Sequence, residues 1–185
     1  MATSTAQRHV ALLRGINVGR AKRISMADLR ALVESLGYGD VRTLLNSGNV
    51  VFTAPQGSAA GAAARLEGAL TEQIGVSSRV TVLTAAEVAR IVADNPLLEV
   101  ATDPSRLMVS VLNDRADRPR LDALLKEDWA PETLAVGDRV AYTWCPQGVL
   151  ESRLAATLAR ALRDSITTRN WATVLKLHAL MQDPA

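Results

Sequence analysis

Two short runs, His9–Leu13 and Leu107–Leu112, are apolar at odd and even positions alike. A strand with one wet face alternates apolar and polar residues, whereas a strand covered on both faces does not. A fold for this chain must therefore bury both sides of two strands that lie about a hundred residues apart. The second cover for each is expected to come from the other half of the chain.

The segments around these runs supply the rest of the plan. Gly15 and Gly19 interrupt the chain after the first run, as expected of a strand passing into a loop. Ser25 stands three residues before Asp28, a capping-box spacing, and Met26, Leu29, Leu32, Val33 and Leu36 then share one helical face up to Gly37 and Gly39. Val41–Leu45 and Asn49–Thr53 read as strands joined at Asn46-Ser47-Gly48, where glycine takes positive φ at little cost. An Ala/Gly-rich loop over 54–64 leads to a helix with Leu66, Leu70 and Ile74 inward, and Arg79–Leu83 is a further strand. The order is β-α-β-β-α-β, the ferredoxin-like plan.

A connecting helix begins at Thr84, with Glu87 as its box partner, and ends at Asn95-Pro96. The order then returns. Leu107–Leu112 is a strand, Pro119–Lys126 a short helix, and Thr133–Val136 with Arg139–Trp144 a hairpin about Gly137-Asp138. Leu150, Leu154, Leu158 and Leu162 stripe a helix, a short strand is expected near Ser165–Thr167, and a last helix carries Trp171, Val174, Leu175 and His178. The expected fold class is α+β: two tandem ferredoxin-like units packed together, residues 1–98 with the connecting helix and residues 99–185 with the terminal helix. No sequence repeat accompanies the repeated order.

Composition narrows the function classes. Apolar residues make up 48% and charged residues 22%, which suits a globular chain and argues against wholesale disorder. Aromatics are only 3%, so the core must be aliphatic. Cys145 is the single cysteine, which excludes an internal disulfide and a Cys-rich zinc site. No apolar run approaches 18 residues and the start at Met1–Arg8 is polar, so neither a membrane span nor a signal peptide is expected and the cytoplasm is the expected compartment. The formal charge of +2 does not by itself imply a nucleic-acid partner. Its distribution is uneven: residues 1–30 carry Arg8, Arg14, Arg20, Lys22, Arg23 and Arg30 against Asp28 alone, whereas residues 84–133 are net acidic. That bias is either a mixed solvated surface or an electropositive site built by the N-terminal region.

Four stretches carry a family resemblance. They are Ala11-Leu-Leu-Arg-Gly-Ile-Asn-Val-Gly19, Ser47-Gly-Asn-Val-Val-Phe52, Pro146-Gln-Gly148 and Thr167-Thr-Arg-Asn-Trp171. In this order, spanning nearly the whole chain, they resemble the domain-of-unknown-function family DUF1697. The resemblance implies a pair of ferredoxin-like α+β units and implies no activity. Arg20 stands where a second glycine often follows Gly19, and Ser152-Arg-Leu154 where Ser-Lys-Leu is common; both keep or add positive charge with different geometry.

The candidate site is read from loops. Arg14, Asn17 and Gly19 sit in a loop leaving a strand, where backbone N–H groups, a guanidinium and an amide suit phosphate or carboxylate. Neither a Walker A loop nor a dinucleotide fingerprint is present. The competing reading gives the glycines to turn geometry and Asn17 to its own backbone. Thr168, Arg169 and Asn170 are expected to open the last helix, whose N-terminus favours an anion; alternatively Thr167 or Thr168 only caps. Ser47 and Asn49 belong to a turn and carry the weakest functional case, since no histidine marks Ser47 as a nucleophile.

His9 and His178 have no acidic motif beside them, so no metal is expected, and no cofactor fingerprint is present. Cys145 reads as a buried small hydrophobe, and Tyr142 with Trp144 as core rather than base-stacking aromatics. The leading expectation is a protein that binds a small anionic or phosphate-bearing ligand through Arg14, Asn17, Gly19, Ser47, Asn49, Arg169 and Asn170. The alternatives are nucleic-acid binding through basic termini, an enzyme of unidentified reaction, and a partner-binding protein. The residues name no reaction and no oligomeric state.

Overall fold

The computed structural model describes residues 6–20, 22–55 and 61–183. The loop expected over 54–64 and the polar start therefore lie partly outside the described residues. The chain is mixed α+β, with two four-stranded antiparallel sheets. By internal contacts the described residues form two units, one running to Val88 and including the segment from Leu177, the other spanning Ala89–Lys176.

In the first unit the strands are β1 (Gln7–Leu13), β2 (Gly39–Leu44), β3 (Asn49–Ala54) and β4 (Val80–Thr84). They lie side by side in the order β2-β3-β1-β4. Helix α1 (Met26–Ser35) joins β1 to β2, and α2 (Ala62–Ala69) leads towards β4 through a π-helical turn at Leu70–Ile74. Both caps read from sequence form, as a reciprocal box at Thr84–Glu87 and as a serine N-cap at Ser25, whose hydroxyl donates to the Asp28 carboxylate. Ser25 Oγ accepts from the Asp28 amide at 3.0 Å, and Thr84 Oγ1 accepts from the Glu87 amide at 3.1 Å while the Glu87 carboxylate takes the Thr84 amide at 2.9 Å. The box starts α3 (Ala85–Ala93). Each satisfies amides that a helix start leaves without an intrahelical acceptor.

The register puts His9, Ala11 and Leu13 opposite Phe52, Val50 and Val80 on one sheet face. Leu29, Leu32 and Val33 of α1 and Leu66 of α2 close over that face in one apolar cluster. The opposite face, carrying Val10, Leu12, Val51 and Leu83, is buried as well. Both sides of β1 are thus dry, as its uninterrupted apolar run predicts.

His9 is the polar exception in this core. It is fully buried and stacks on Phe52 with ring centroids 5.6 Å apart. Its Nδ1–H donates to the Gln7 carbonyl at 2.9 Å, while Nε2 has no partner among the described residues. Burial lowers its pKa below the ordinary 6.5, against smaller opposing effects of the Gln7 bond and the Glu87 charge. The neutral ring is therefore the folded form, and protonation favours unfolding. The stabilising contribution is complete above pH 6.5 and is lost as pH falls towards the lowered value. Urea titrations are expected to show His9→Phe losing a pH-dependent slope of at most about 1.4 kcal/mol per pH unit below pH 6.5. An unchanged slope would contradict a neutral buried imidazole.

In the second unit the strands are β5 (Leu107–Leu112), β6 (Thr133–Val136), β7 (Val140–Trp144) and β8 (Ile166–Asn170), in the order β6-β7-β5-β8. Helices α4 (Arg118–Leu124) and α5 (Arg153–Leu162) complete the same strand-and-helix sequence, and α6 (Trp171–Gln182) follows. Leu121, Leu154, Leu158 and Leu162 pack with Leu112, Ala141 and Ile166 on one sheet face. Val109, Val111, Val140 and Tyr142 are buried on the other. The Tyr142 hydroxyl donates to the Ile91 carbonyl at 2.8 Å, and burial with the nearby Asp94 charge pushes its pKa up to about 12. Tyr142 is core, not an exposed stacking platform.

Three expectations need correction. Leu150 does not begin the stripe of α5; it is 95% exposed in a single turn at Val149–Glu151, and Ser152 caps the helix that follows. Leu175 is 40% exposed and so does not share the buried side of α6. Thr168 and Arg169 do not open α6 but extend β8, pairing with Ser110 and Val109; Asn170 ends that strand opposite Met108 and is the one residue of the three that also caps α6. Threonine caps helices, but as a β-branched residue it also favours strands, and here the ladder prevails.

Candidate functional site

The sequence-predicted site residues fall into two groups, one in each unit. In the first unit the loop after β1 and the β2–β3 turn are joined directly. Asn17 adopts φ 55°, and its side chain acts as a staple. Nδ2 donates to the Ile24 carbonyl at 2.9 Å and to the Asn46 carbonyl at 2.7 Å, while Oδ1 accepts from the Ile24 amide at 2.9 Å. The Asn17 amide N–H also bonds the Lys22 carbonyl at 3.0 Å. One side chain thus closes the loop on itself and fastens it to a turn 29 residues away.

Asn49 performs a similar task inside the turn. It is fully buried, and its Nδ2 donates to the Leu44 carbonyl and to Ser47 Oγ, each at 2.9 Å. Gly48 takes φ 78° and lies against Leu13 and Ile16, and its carbonyl accepts from the Leu13 amide at 2.8 Å. Asn17, Asn49 and Gly48 therefore hold two loops in a fixed relation. The side-chain amide donors of Asn17 and Asn49 are spent on the protein itself.

The outward side of this loop is basic. Arg20, Lys22 and Arg23 are exposed, Arg14 is half-buried, and Val18 is 72% exposed between them. Arg23 reaches back to the Gly19 carbonyl at 2.9 Å, which draws its guanidinium over the loop. Lys22 has φ 52°, a conformation favoured by few residues other than glycine and asparagine. Arg20 and Lys22 make no ion pair among the described residues. Arg14 is anchored through its backbone, its amide bonding the Arg79 carbonyl at 2.9 Å and its carbonyl accepting from Ser78 Oγ at 2.9 Å. Arg23 and Lys22 entered the sequence reading only as charge; their place around Gly19 depends on the Asn17 staple, which pattern alone does not reveal.

In the second unit, Arg169 lies opposite Val109, which in turn pairs with Tyr142, on the face away from Thr168. It donates to the Thr168 carbonyl at 2.9 Å, and burial lowers its pKa to about 10. It is still charged at neutral pH. Asn170, rather than either threonine, caps α6, its Oδ1 accepting the Thr173 amide at 2.9 Å. Thr168 instead bonds Ser110 across the ladder at 2.7 Å.

The remaining reactive side chains offer little chemistry. Cys145 is buried, and burial pushes its thiol pKa up, away from the reactive thiolate. Ser47 is tied to Asn49, and the buried His9 is held by Gln7. Among the described residues no group of three or more His, Cys, Asp or Glu side chains is placed to hold a metal ion. No helix among them is long and apolar enough to cross a membrane.

A conserved bacterial protein from Streptococcus pneumoniae has the same fold, with a TM-score of 0.80 at 23% identity over 95% of this chain and 99% of its own. No curated protein matches the chain. The family model described as "Protein of unknown function (DUF1697)" matches residues 6–142, and the chain belongs to that family.

Proposed function

We propose that the first unit binds a small anionic ligand, with a phosphate group as the part recognised, on the loop from Arg14 to Arg23. The observation that supports this most is the Asn17 staple: it fixes a loop that presents Arg20, Lys22 and Arg23 to solvent. A basic loop whose shape is set before binding loses little conformational freedom when an anion arrives. Gly15 and Gly19 have open space where a side chain would project, which leaves the backbone approachable. In this reading Arg14, Arg20, Lys22, Arg23 and the amides around Gly19 contact the ligand. Asn17, Ser47 and Asn49 set the geometry, and Arg169 with Asn170 are a separate candidate in the second unit.

We also infer that each unit is ferredoxin-like, supported by the β-α-β-β-α-β order and the shared strand arrangement. The division at residues 98 and 99 leaves each four-stranded sheet entirely on one side. A cytoplasmic location fits a small anionic metabolite as ligand.

A thermal-shift screen against nucleotides, sugar phosphates, inorganic anions and short oligonucleotides tests the proposal. A ligand at 100 times its dissociation constant adds about 2.7 kcal/mol of stability. The expected result is a hit among phosphate-bearing small molecules that Arg14→Ala and Lys22→Ala weaken at least about tenfold. Retention of oligonucleotides alone, with steep salt dependence, would favour nucleic-acid binding instead. A flat screen at about 50 mM salt would overturn both.

A further inference from the structure

The second unit contains a cavity of about 280 Å³ between helix α5 and one face of its sheet, lined in part by Met108, Ser110, Thr143, Leu158, Ile166 and Thr168. We propose that this cavity is a binding site for a small uncharged molecule with an apolar body and an oxygen that accepts hydrogen bonds. The site is independent of the basic loop and of the proposal made for it.

Ser110 lies opposite both Thr168 and Ala141, and Met108 lies opposite Thr143, so the three hydroxyl-bearing residues share one sheet face. Further along the same face, Leu112, Ala141 and Ile166 are closed over by Leu154, Leu158 and Leu162 as an ordinary aliphatic core. The face thus changes from close-packed aliphatic to hydroxyl-lined and open. A core built only for stability would continue the aliphatic pattern, because a buried hydroxyl is favourable only when it is bonded.

These hydroxyls are under-used. Ser110 Oγ and Thr168 Oγ1 are 2.7 Å apart, and either can be the donor. One O–H proton satisfies that bond, and the proton of the accepting hydroxyl is left over. Thr143 Oγ1 is buried with no hydrogen-bond partner, in a residue only 1% exposed. Two hydroxyl donors and their lone pairs therefore await a polar group in an otherwise apolar space. Such a combination, a concave apolar lining with a few convergent polar groups, is what small-molecule sites present.

The chemistry of the lining fixes the ligand class. No charged side chain lines the cavity, so a phosphate or carboxylate would be desolvated without a counter-charge. A hydrocarbon would leave Thr143 unpaired. A neutral carbonyl, ether or alcohol on a body of one or two rings fits both the volume and the donors.

The test is an NMR titration of the intact protein with acetophenone, ethylbenzene and benzoate, three probes of similar size that differ in polarity and charge. Acetophenone is expected to shift the Ser110, Thr143 and Thr168 signals saturably and to bind about five- to tenfold more tightly than ethylbenzene, the worth of one hydrogen bond. Benzoate is expected to give no saturable shift. Thr143→Val is expected to reduce the affinity for acetophenone by the same factor while raising the melting temperature of the unliganded protein. Ala155→Phe, which fills the space from α5, is expected to abolish binding in a chain whose remaining spectrum is unchanged; it carries the test should the valine variant misfold. Equal affinity for acetophenone and ethylbenzene, preference for benzoate, or no saturable shift of these signals by any probe would overturn the proposal and leave the hydroxyls to bound water.

Discussion

Gly48→Ala is expected to destabilise the protein by about 2–5 kcal/mol and to release the basic loop from its position. Two costs combine. Gly48 has φ 78°, where a residue with a side chain loses about 1–2 kcal/mol. The new methyl would also stand 2.7 Å from Ile16 Cδ1 and 2.8 Å from Leu13 Cβ. The Ile16 terminus can rotate, but Leu13 Cβ is fixed to a strand backbone, so relief requires β1 or the turn to move. Overpacking of this kind costs about 1–3 kcal/mol.

The informative comparison is Gly15→Ala. Gly15 has a similar φ of 64° with nothing within 4 Å of the added methyl, so only the backbone cost applies. Chemical denaturation of both variants separates the two effects, and a Gly48→Ala loss no larger than that of Gly15→Ala would contradict the close packing. Because Ile16 belongs to the basic loop, Gly48→Ala is also expected to weaken anion binding.

Glu132→Ala is expected to cost about 2–4 kcal/mol, a large effect for a half-buried acidic residue. The Glu132 carboxylate caps α5 from twenty residues earlier in the chain. Oε1 accepts the Arg153 amide at 3.0 Å, and Oε2 accepts the Leu154 amide and the Ser152 hydroxyl, each at 2.8 Å. Ser152 Oγ in turn accepts the Ala155 amide at 2.8 Å. A carboxylate here meets both the unpaired amides and the positive end of the helix. Hydrogen bonds to a charged group contribute about 1.5–3 kcal/mol each and do not add fully.

Arg153 lies over the Trp129 ring at 4.7 Å, so the same helix start is also held by a cation–π contact. Glu132→Gln should retain part of the stability, because its amide keeps one acceptor. A Glu132→Ala protein as stable as the wild type in urea would show that Ser152 alone suffices as a cap.

The helix caps at Ser25–Asp28 and Thr84–Glu87 were legible because both partners lie within one turn of each other. The two-sided burial of β1 and β5 was legible because periodicity reports how many faces are covered. Glu132 was not, since its partners are 20 to 22 positions away and no local spacing marks the contact. The same holds for Asn17, whose side-chain bond to Asn46 makes one site of two loops.

Leu150 was misread because it continues the i, i+4 spacing of the leucines in α5, and only the Ser152 cap shows where the helix begins. Thr167–Asn170 was ambiguous for a different reason: threonine and asparagine favour both caps and exposed turns, and the outcome was decided by pairing with β5. Of the suspected site residues, Arg14, Asn17, Gly19 and Ser47 lie in loops, whereas Asn49 begins β3 and Arg169 and Asn170 stand in β8. Whether a given amide reaches a ligand or its own backbone is a matter of distances, and for Asn17 and Asn49 the backbone claims both.

The most direct measurement is an NMR titration of the nitrogen-15-labelled protein with inorganic pyrophosphate at about 50 mM salt, where screening is weak. Saturable shifts are expected on the amides of Gly15, Val18, Gly19 and Arg23, with smaller changes at Ser47 and Gly48, all lost in Arg14→Ala. Shifts spread evenly over the basic surface without saturation, or none on the Arg14–Arg23 loop, would contradict an anion site there.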